Sequence, residues 1–317
     1  MADTKTLHRS DKGATDEYQP NSSGPAHPEK LPLYGGLAGL PTSVPEFVLA
    51  DGLVLRESYT HIFAPFMLAF AKPRSAGQHH PGPWKSARGG LAYDIEVEIG
   101  LARGSQPTNL DRLNTIWWTT ALLRLATRAP LRLPIISDTP FAKITMSSGE
   151  PHLWPLEISP SRLETALQPA SEILLDHLEW VKTVFVTGAE LLSHQAFNRA
   201  VQTFDSASCS GSLSNSTIMV WAALETLFRP GRLNIKKTLA MCIAAFMYPP
   251  GPDRDKLFQH VDRLYELRGS IVHDSQVPEH KYILSVFELG RQILIRVLDL
   301  SRIPTADDLL TKWKQRG

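Results

Sequence analysis

The sequence predicts an α+β protein in which a strand-rich N-terminal domain precedes an all-α helical bundle. Three observations lead to this prediction. Before residue 158, apolar and polar residues alternate in short runs such as Tyr93–Ile99, the pattern of a half-exposed strand. From Ser159 onward, apolar residues recur at helical spacing. Breakers such as Pro230-Gly231 and Pro249-Pro250-Gly251 separate the helical runs.

The composition divides the chain into three parts. Residues 1–35 are rich in Ser, Pro, Gly, Lys and Asp and have little to bury, which predicts a disordered tail. Residues 36–158 form the predicted strand-rich domain, and residues 159–317 the predicted helical domain.

The N-terminal domain contains several candidate strands and one clear helix. An Asp-Gly turn signal between two apolar runs predicts a hairpin over Phe47–Leu55. Ile62–Phe70 is a candidate strand that Pro65 confines to a sheet edge. Lys72–Gly90 is read as a loop. The remaining candidates are strands at Tyr93–Ile99, Leu131–Ile136 and His152–Ile158, and a helix at Asn109–Thr127 capped by Asn109 or Thr108.

Seven amphipathic helices are predicted for the C-terminal domain. A short helical turn over Arg162–Leu167 precedes them. They are Pro169–Val186, Ala189–Phe204, Asn215–Phe228, Lys236–Met247, Asp253–His273, Glu279–Leu298 and Thr305–Lys314.

Composition excludes several classes of protein. Hydrophobic residues make up 43% and charged residues 21%, which is typical of a globular protein. The net charge of +1 means that any contact with nucleic acid must come from a local patch. Cys209 and Cys242 fit no metal-binding or disulfide framework, and the N-terminus lacks the apolar core of a signal peptide. We therefore expect a cytoplasmic protein without a membrane span.

Two charged residues interrupt apolar stripes in the helical domain. Leu257, Val261, Leu264, Arg268 and Ile271 follow one another at spacings of four, three, four and three, so Arg268 occupies the core-facing side of its helix. A buried guanidinium requires an acidic or polar partner.

Glu225 occupies the equivalent position on the helix Asn215–Phe228, where it follows Ile218 and Trp221 and precedes Phe228. Two charges of opposite sign on two apolar stripes predict either a structural Glu225–Arg268 salt bridge or a shared polar site.

His273 adds the residue type that a reactive site needs. It follows Arg268 by five residues, close to the predicted end of the helix. Arginine presents a planar donor fork to phosphate oxygens, and histidine exchanges protons near neutral pH. The alternative is an exposed histidine that caps the helix.

The segment Arg268-Gly-Ser-Ile-Val-His273 resembles the Arg-x(4–6)-His motif of the HEPN superfamily. The helix Trp221–Phe228 with its internal Glu225, a short basic linker, and the run from Tyr265 to His273 resemble the Apea-like HEPN group in order and spacing. This resemblance covers about residues 160–305. It implies an all-α HEPN-like bundle, in a family whose members commonly carry a strand-rich N-terminal region.

The resemblance also implies an activity. HEPN domains of this kind are metal-independent endoribonucleases that act as homodimers, often as toxins with an antitoxin partner or as effectors of anti-phage defence. By position, Arg268 would bind the scissile phosphate, His273 would act as general base, and Glu225 would orient Arg268. Many active members have a polar residue directly after the arginine; here it is Gly269, and Ser270 is its candidate replacement.

Alternatives to this hypothesis stay open. The chain is either a ribonuclease, a non-catalytic HEPN module for dimerisation or protein interaction, or a helical domain unrelated to HEPN. The basic loop is either a solvated loop or an RNA contact through Arg229, Arg232, Lys236 and Lys237.

Two other kinds of site find no support in the sequence. The histidines have no metal-ligand spacing, and we expect neither a metal nor a cofactor. The sequence contains no glycine-rich loop of the kind that binds nucleotide phosphates.

Overall fold

A computed structural model describes residues 31–76, 78–158, 170–273 and 279–315, with the side chains of Ser270, Val272 and His273 outside that description. Its architecture is α+β, as predicted: a curled antiparallel sheet in the N-terminal part, followed by a series of helices. The predicted short turn at 162–167 and most of the predicted tail lie outside the described residues.

The sheet has six strands in the order β2-β3-β4-β1-β5-β6, and every pair is antiparallel. The strands are β1 (Leu33–Ala38), β2 (Glu46–Ala50), β3 (Leu53–Ala69), β4 (Trp84–Leu101), β5 (Arg132–Ser137) and β6 (Leu153–Pro155). A short 3-10 helix, Phe141–Met146, joins β5 to β6.

Eight α-helices accompany the sheet in the described part of the chain. They are α1 (Arg112–Thr127), α2 (Leu175–Leu191), α3 (Gln195–Ser208), α4 (Leu213–Phe228), α5 (Ile235–Met247), α6 (Pro252–His273), α7 (His280–Leu300) and α8 (Ala306–Lys314). None of these helices is long and apolar enough to cross a lipid bilayer.

The predicted hairpin is confirmed, with Gly52 at its turn. Gly52 adopts a φ of +66°, and a Cβ there would lie 1.9 Å from Oγ of Ser105. The expectation for Pro65 is also confirmed, because β2 pairs only with the first residues of β3 and leaves the rest of that strand at an edge.

Two predictions for the N-terminal domain are wrong. The tail does not extend to residue 35, because Leu33 begins a strand that lies between β4 and β5. The sequence did not predict this strand because it contains Gly35 and Gly36, and glycine is rare in strands. A Cβ on Gly35 would lie 2.6 Å from Cγ2 of Ile116, so close packing against α1 requires that glycine. The predicted loop Lys72–Gly90 is too long, because β4 begins at Trp84.

Some helix boundaries also differ from the predictions. Asp111, and not Asn109 or Thr108, caps α1 by accepting a hydrogen bond from the backbone N–H of Asn114. The predicted break near residue 187 is wrong, since α2 continues to Leu191. Gly188 is a packing position there: a Cβ would lie 2.7 Å from Cζ2 of Trp118.

One hydrophobic core joins the sheet to the helices. A single cluster of buried hydrophobic residues includes members from Leu33 in β1 to Leu309 in α8. Trp118 of α1 is fully buried and donates a 3.1 Å hydrogen bond to the carbonyl of Phe185 in α2. The strand-rich and helical parts therefore share their packing.

Candidate functional site

The predicted meeting of Glu225 and Arg268 is confirmed. Nη2 of Arg268 on α6 lies 3.4 Å from Oε1 of Glu225 on α4. The neighbouring members of both stripes are buried, including Trp221, Phe228 and Val261, so packing of the two helices directs the charged pair toward each other. Each side chain is 26% exposed, which places the pair at the rim of the core and within reach of a ligand.

Tyr265 completes this pair. Its hydroxyl donates a 2.7 Å hydrogen bond to Oε1 of Glu225, and the guanidinium of Arg268 lies over its ring, 5.2 Å from the ring centre. Burial, the hydrogen bond to Glu225 and the charge of that carboxylate raise the pKa of Tyr265 to about 12, against the opposing charge of Arg268. The tyrosine therefore stays a neutral donor over the physiological pH range.

A buried chain of hydrogen bonds supports the site from beneath. Trp221, fully buried, packs edge-on against the ring of Tyr265 at 5.0 Å and donates a 3.0 Å hydrogen bond to the hydroxyl of Tyr282 on α7. The Tyr282 hydroxyl donates in turn to the carbonyl of Leu264, also at 3.0 Å. Burial raises the pKa of Tyr282. Three helices therefore fix the position of Tyr265.

Arg268 has hydrogen-bonding capacity to spare. Its Nε is buried and has no hydrogen-bond partner among the described residues. Guanidinium groups bind phosphate and carboxylate oxygens through two parallel N–H groups. Because Nε is buried, an anion can reach Arg268 only through the exposed part of its side chain, beside the Nη2 that faces Glu225.

For two of the predicted site residues, Ser270 and His273, the structure describes only the backbone. α6 carries both Ser270 and His273, and His273 is its last described residue. Their side chains lie outside the described part of the structure, so their predicted roles stay predictions.

The four predicted RNA-binding residues differ in their surroundings. Arg229 is exposed and ends α4 with a φ of +47°, its N–H bonded to the carbonyl of Glu225 at 2.9 Å. Arg232 and Lys237 are exposed. Lys236 is bound by α6, with Nζ at 3.2 Å from Oδ2 of Asp262 and 2.6 Å from Oε1 of Glu266. These carboxylates raise the pKa of Lys236 and offset its charge.

A second charged cluster escaped the sequence prediction. Arg124 of α1 is buried and contacts Asp205 of α3 through Nη1 at 2.8 and 2.9 Å, Glu157 through Nη2, and the carbonyl of Leu131 at 2.7 Å. Trp117 donates to Oδ2 of Asp205 at 2.8 Å. Burial would lower the pKa of Arg124, but Asp205 and Glu157 reverse the effect and raise it. Because its partners are satisfied by one another, we assign this cluster to stability.

Two histidines of the N-terminal part each lie close to one carboxylate. Nδ1 of His61 lies 2.8 Å from Oδ1 of Asp94, and Nδ1 of His152 lies 2.9 Å from Oδ2 of Asp138. Within the described ranges, no group of three or more His, Cys, Asp or Glu side chains is arranged to hold a metal ion.

Comparisons with family models, with curated proteins and with solved structures give no match to this chain. The functional assignment therefore depends on the chemistry of the site.

Proposed function

We propose that this protein is an endoribonuclease of the HEPN type that works without a metal ion and uses Arg268 and His273. The observation that carries the proposal is the setting of Arg268. A partly exposed guanidinium, held by Glu225 and Tyr265, stands on the same helix as His273.

Each residue has a defined chemical role. Arg268 binds the non-bridging oxygens of the scissile phosphate and stabilises the negative charge that builds up in the transition state. Glu225 and Tyr265 are positioning residues for that guanidinium. His273 takes the proton of the ribose 2′-hydroxyl. The 2′-oxygen then bonds to phosphorus, and the bond from phosphorus to the 5′-oxygen breaks. A 2′,3′-cyclic phosphate remains, and the leaving 5′-oxygen takes up a proton from water.

The wider biological role follows from the resemblance to Apea-like proteins. We propose a cytoplasmic homodimer that serves as a toxin, with an antitoxin partner, or as an effector of anti-phage defence. Arg229, Arg232 and Lys237 provide exposed charge for RNA phosphates beside α4 and α5.

The test is RNA cleavage in EDTA by the parent protein, Arg268→Ala and His273→Ala. The same helix offers matched controls, because Arg263 and His260 are exposed and lie before the motif. Arg263→Ala and His260→Ala should cut at the parental rate, whereas Arg268→Ala and His273→Ala should lose at least a hundredfold. Mass spectrometry should detect the 2′,3′-cyclic phosphate. Equal cleavage by all five proteins would overturn the proposal.

The second candidate is a non-catalytic HEPN module in which Glu225 and Arg268 serve stability. The observation in its favour is that one carboxylate oxygen joins Tyr265 and Arg268, tying α4 to α6. Arg268→Lys distinguishes the two roles, because lysine keeps the charge but lacks the planar fork. If Arg268→Lys loses cleavage but keeps its stability, the result supports catalysis. If the parent does not cleave RNA and Arg268→Ala loses about 1–2 kcal/mol of stability, the result supports the module.

A further inference from the structure

The outer parts of β3 and β4 form a two-stranded ribbon. β2 pairs with β3 only up to Arg56, and β1 pairs with β4 only from Val97 onward. Residues 57–69 and 84–95 therefore pair with each other alone among the described strands, and we call them the β3–β4 ribbon. Its inner end packs on the 3-10 helix through Ile95 and Phe141.

Large apolar side chains cover the outer part of this ribbon. Several are about half exposed or more: Tyr59 73%, Phe63 70%, Phe66 53%, Met67 54%, Leu68 46% and Trp84 56%. An isolated two-stranded ribbon is marginally stable in water, and exposed apolar patches mark interaction sites. The ribbon is therefore a candidate binding surface.

Glu57 and Asp94 lie at the inner end of the ribbon, and the part beyond them, with the loop that joins the two strands, has only basic charged residues. From Ser58 to Tyr93 the sequence contains no aspartate or glutamate, but it contains Lys72, Arg74, Lys85 and Arg88. Lys85 pairs with Leu68 in the ribbon, so a cation stands among the apolar side chains. In a chain with a net charge of +1, this segment is a local basic patch that favours a polyanion.

Three rings lie in series along β3. Tyr59, His61 and Phe63 alternate with other residues, so they share one face of the strand. The rings of His61 and Phe63 are stacked at 6.1 Å with an angle of 30°. Asp94 on β4 contacts the first two of these side chains. Its Oδ1 lies 3.3 Å from the Tyr59 hydroxyl and 2.8 Å from Nδ1 of His61. Rings in series on a surface that also carries cations are the pattern on which single-stranded nucleic acids bind.

We propose that the β3–β4 ribbon binds single-stranded RNA, its rings stacking on bases and Lys85 and Arg88 contacting phosphates. The identity of the nucleic acid as RNA rests on the proposed function; the ribbon would select the unpaired segment that the Arg268 site cleaves. Hydrocarbon would not accommodate the ionisable pair His61–Asp94 within the series of rings, which argues against insertion into a membrane.

The experiment measures binding separately from cleavage. A fluorescent single-stranded oligonucleotide with every 2′-hydroxyl methylated cannot be cut by the proposed chemistry, and its anisotropy reports affinity for the full chain. Lys85→Glu/Arg88→Glu should weaken binding at least tenfold and flatten its dependence on salt. Tyr59→Leu/Phe63→Leu keeps apolar bulk but removes two rings, and should weaken binding about tenfold with little change in salt dependence.

The matched control reverses two cations outside the ribbon. Arg103 and Arg199 are exposed, and Arg103→Glu/Arg199→Glu has the same change in net charge. This control should keep at least half of the parental affinity. Thermal melting of all variants checks that the exposed substitutions leave the core intact.

Three results would overturn the proposal. They are parental affinity in both ribbon variants, equal losses in the control, or ribbon variants that alter only sedimentation with phosphatidylserine vesicles or only the oligomeric state. Failure of the proposed function looks different. In that case unmodified RNA stays uncut while the methylated oligonucleotide still binds through the ribbon.

Discussion

The hydroxyl of Tyr265 donates a 2.7 Å hydrogen bond to Oε1 of Glu225, the same oxygen that faces Arg268. This one oxygen of Glu225 on α4 therefore contacts both the neutral Tyr265 hydroxyl and the Arg268 cation on α6. Tyr265 limits the directions in which Glu225 can turn, and through Glu225 it limits those of the guanidinium.

Tyr265→Phe should separate positioning from folding. The substitution keeps the ring beneath Arg268 and removes only the hydroxyl, so stability at pH 7 should fall by about 1–2 kcal/mol. Cleavage should fall by roughly tenfold although the protein stays folded, because Glu225 is freed to turn. Urea unfolding and cleavage rates at pH 7 measure the two effects, and parental cleavage would contradict the positioning role.

The same substitution should alter the response to alkaline pH. The pKa of Tyr265 is about 12 in the folded protein and near 10 when unfolded, so the unfolded chain loses this proton first. The stability contributed by this group is complete below pH 10 and is lost as the pH rises toward 12. Urea unfolding between pH 8 and 11.5 should therefore show a shallower decline for Tyr265→Phe than for the parent. Parallel curves would contradict the raised pKa.

Arg124→Leu should be among the most destabilising single changes in α1. It leaves Asp205 and Glu157 without their buried cation, and breaking a buried pair in this way costs about 3–5 kcal/mol. Arg56→Leu is the control, because its pair with Glu46 has a distance of 2.7 Å but is largely exposed. That change should cost less than about 1 kcal/mol. Equal losses in urea unfolding would show that the cluster contributes little.

Two helical glycines should respond to alanine in opposite directions. At Gly188 a Cβ would lie 2.7 Å from Trp118 and 2.8 Å from Leu298, and overpacking costs about 1–3 kcal/mol. At Gly269 no described atom lies within 4 Å of that position, so alanine should add up to ~1 kcal/mol through its helix propensity. Thermal melting of Gly188→Ala and Gly269→Ala should show a decrease and an increase, and the same sign for both would refute this account.

The sequence predicted the Glu225–Arg268 pair because each residue breaks a regular stripe on its own helix. The Arg124 cluster carries no such signal. Its partners are Glu157, which follows β6, and Asp205 in α3, and only the folded chain brings them together. Tyr265 was visible within the motif, but its hydrogen bond depends on how α4 and α6 pack. Strand β1 was missed because Gly35 packs closely on α1 and Gly36 on Phe141 and Ile95, contacts that local propensity does not report.

The position of β1 has a consequence for how the protein folds. The first strand of the sheet is placed between β4 and β5, with Leu33 opposite Leu101 and Tyr34 opposite Ser137. During synthesis, its neighbours emerge from the ribosome long after β1 itself. The middle of the sheet must therefore close late, through contacts between distant parts of the chain, which slow folding. Until then the exposed edge of β1 is open to pairing with the wrong strand, and cellular chaperones are the natural protection for it.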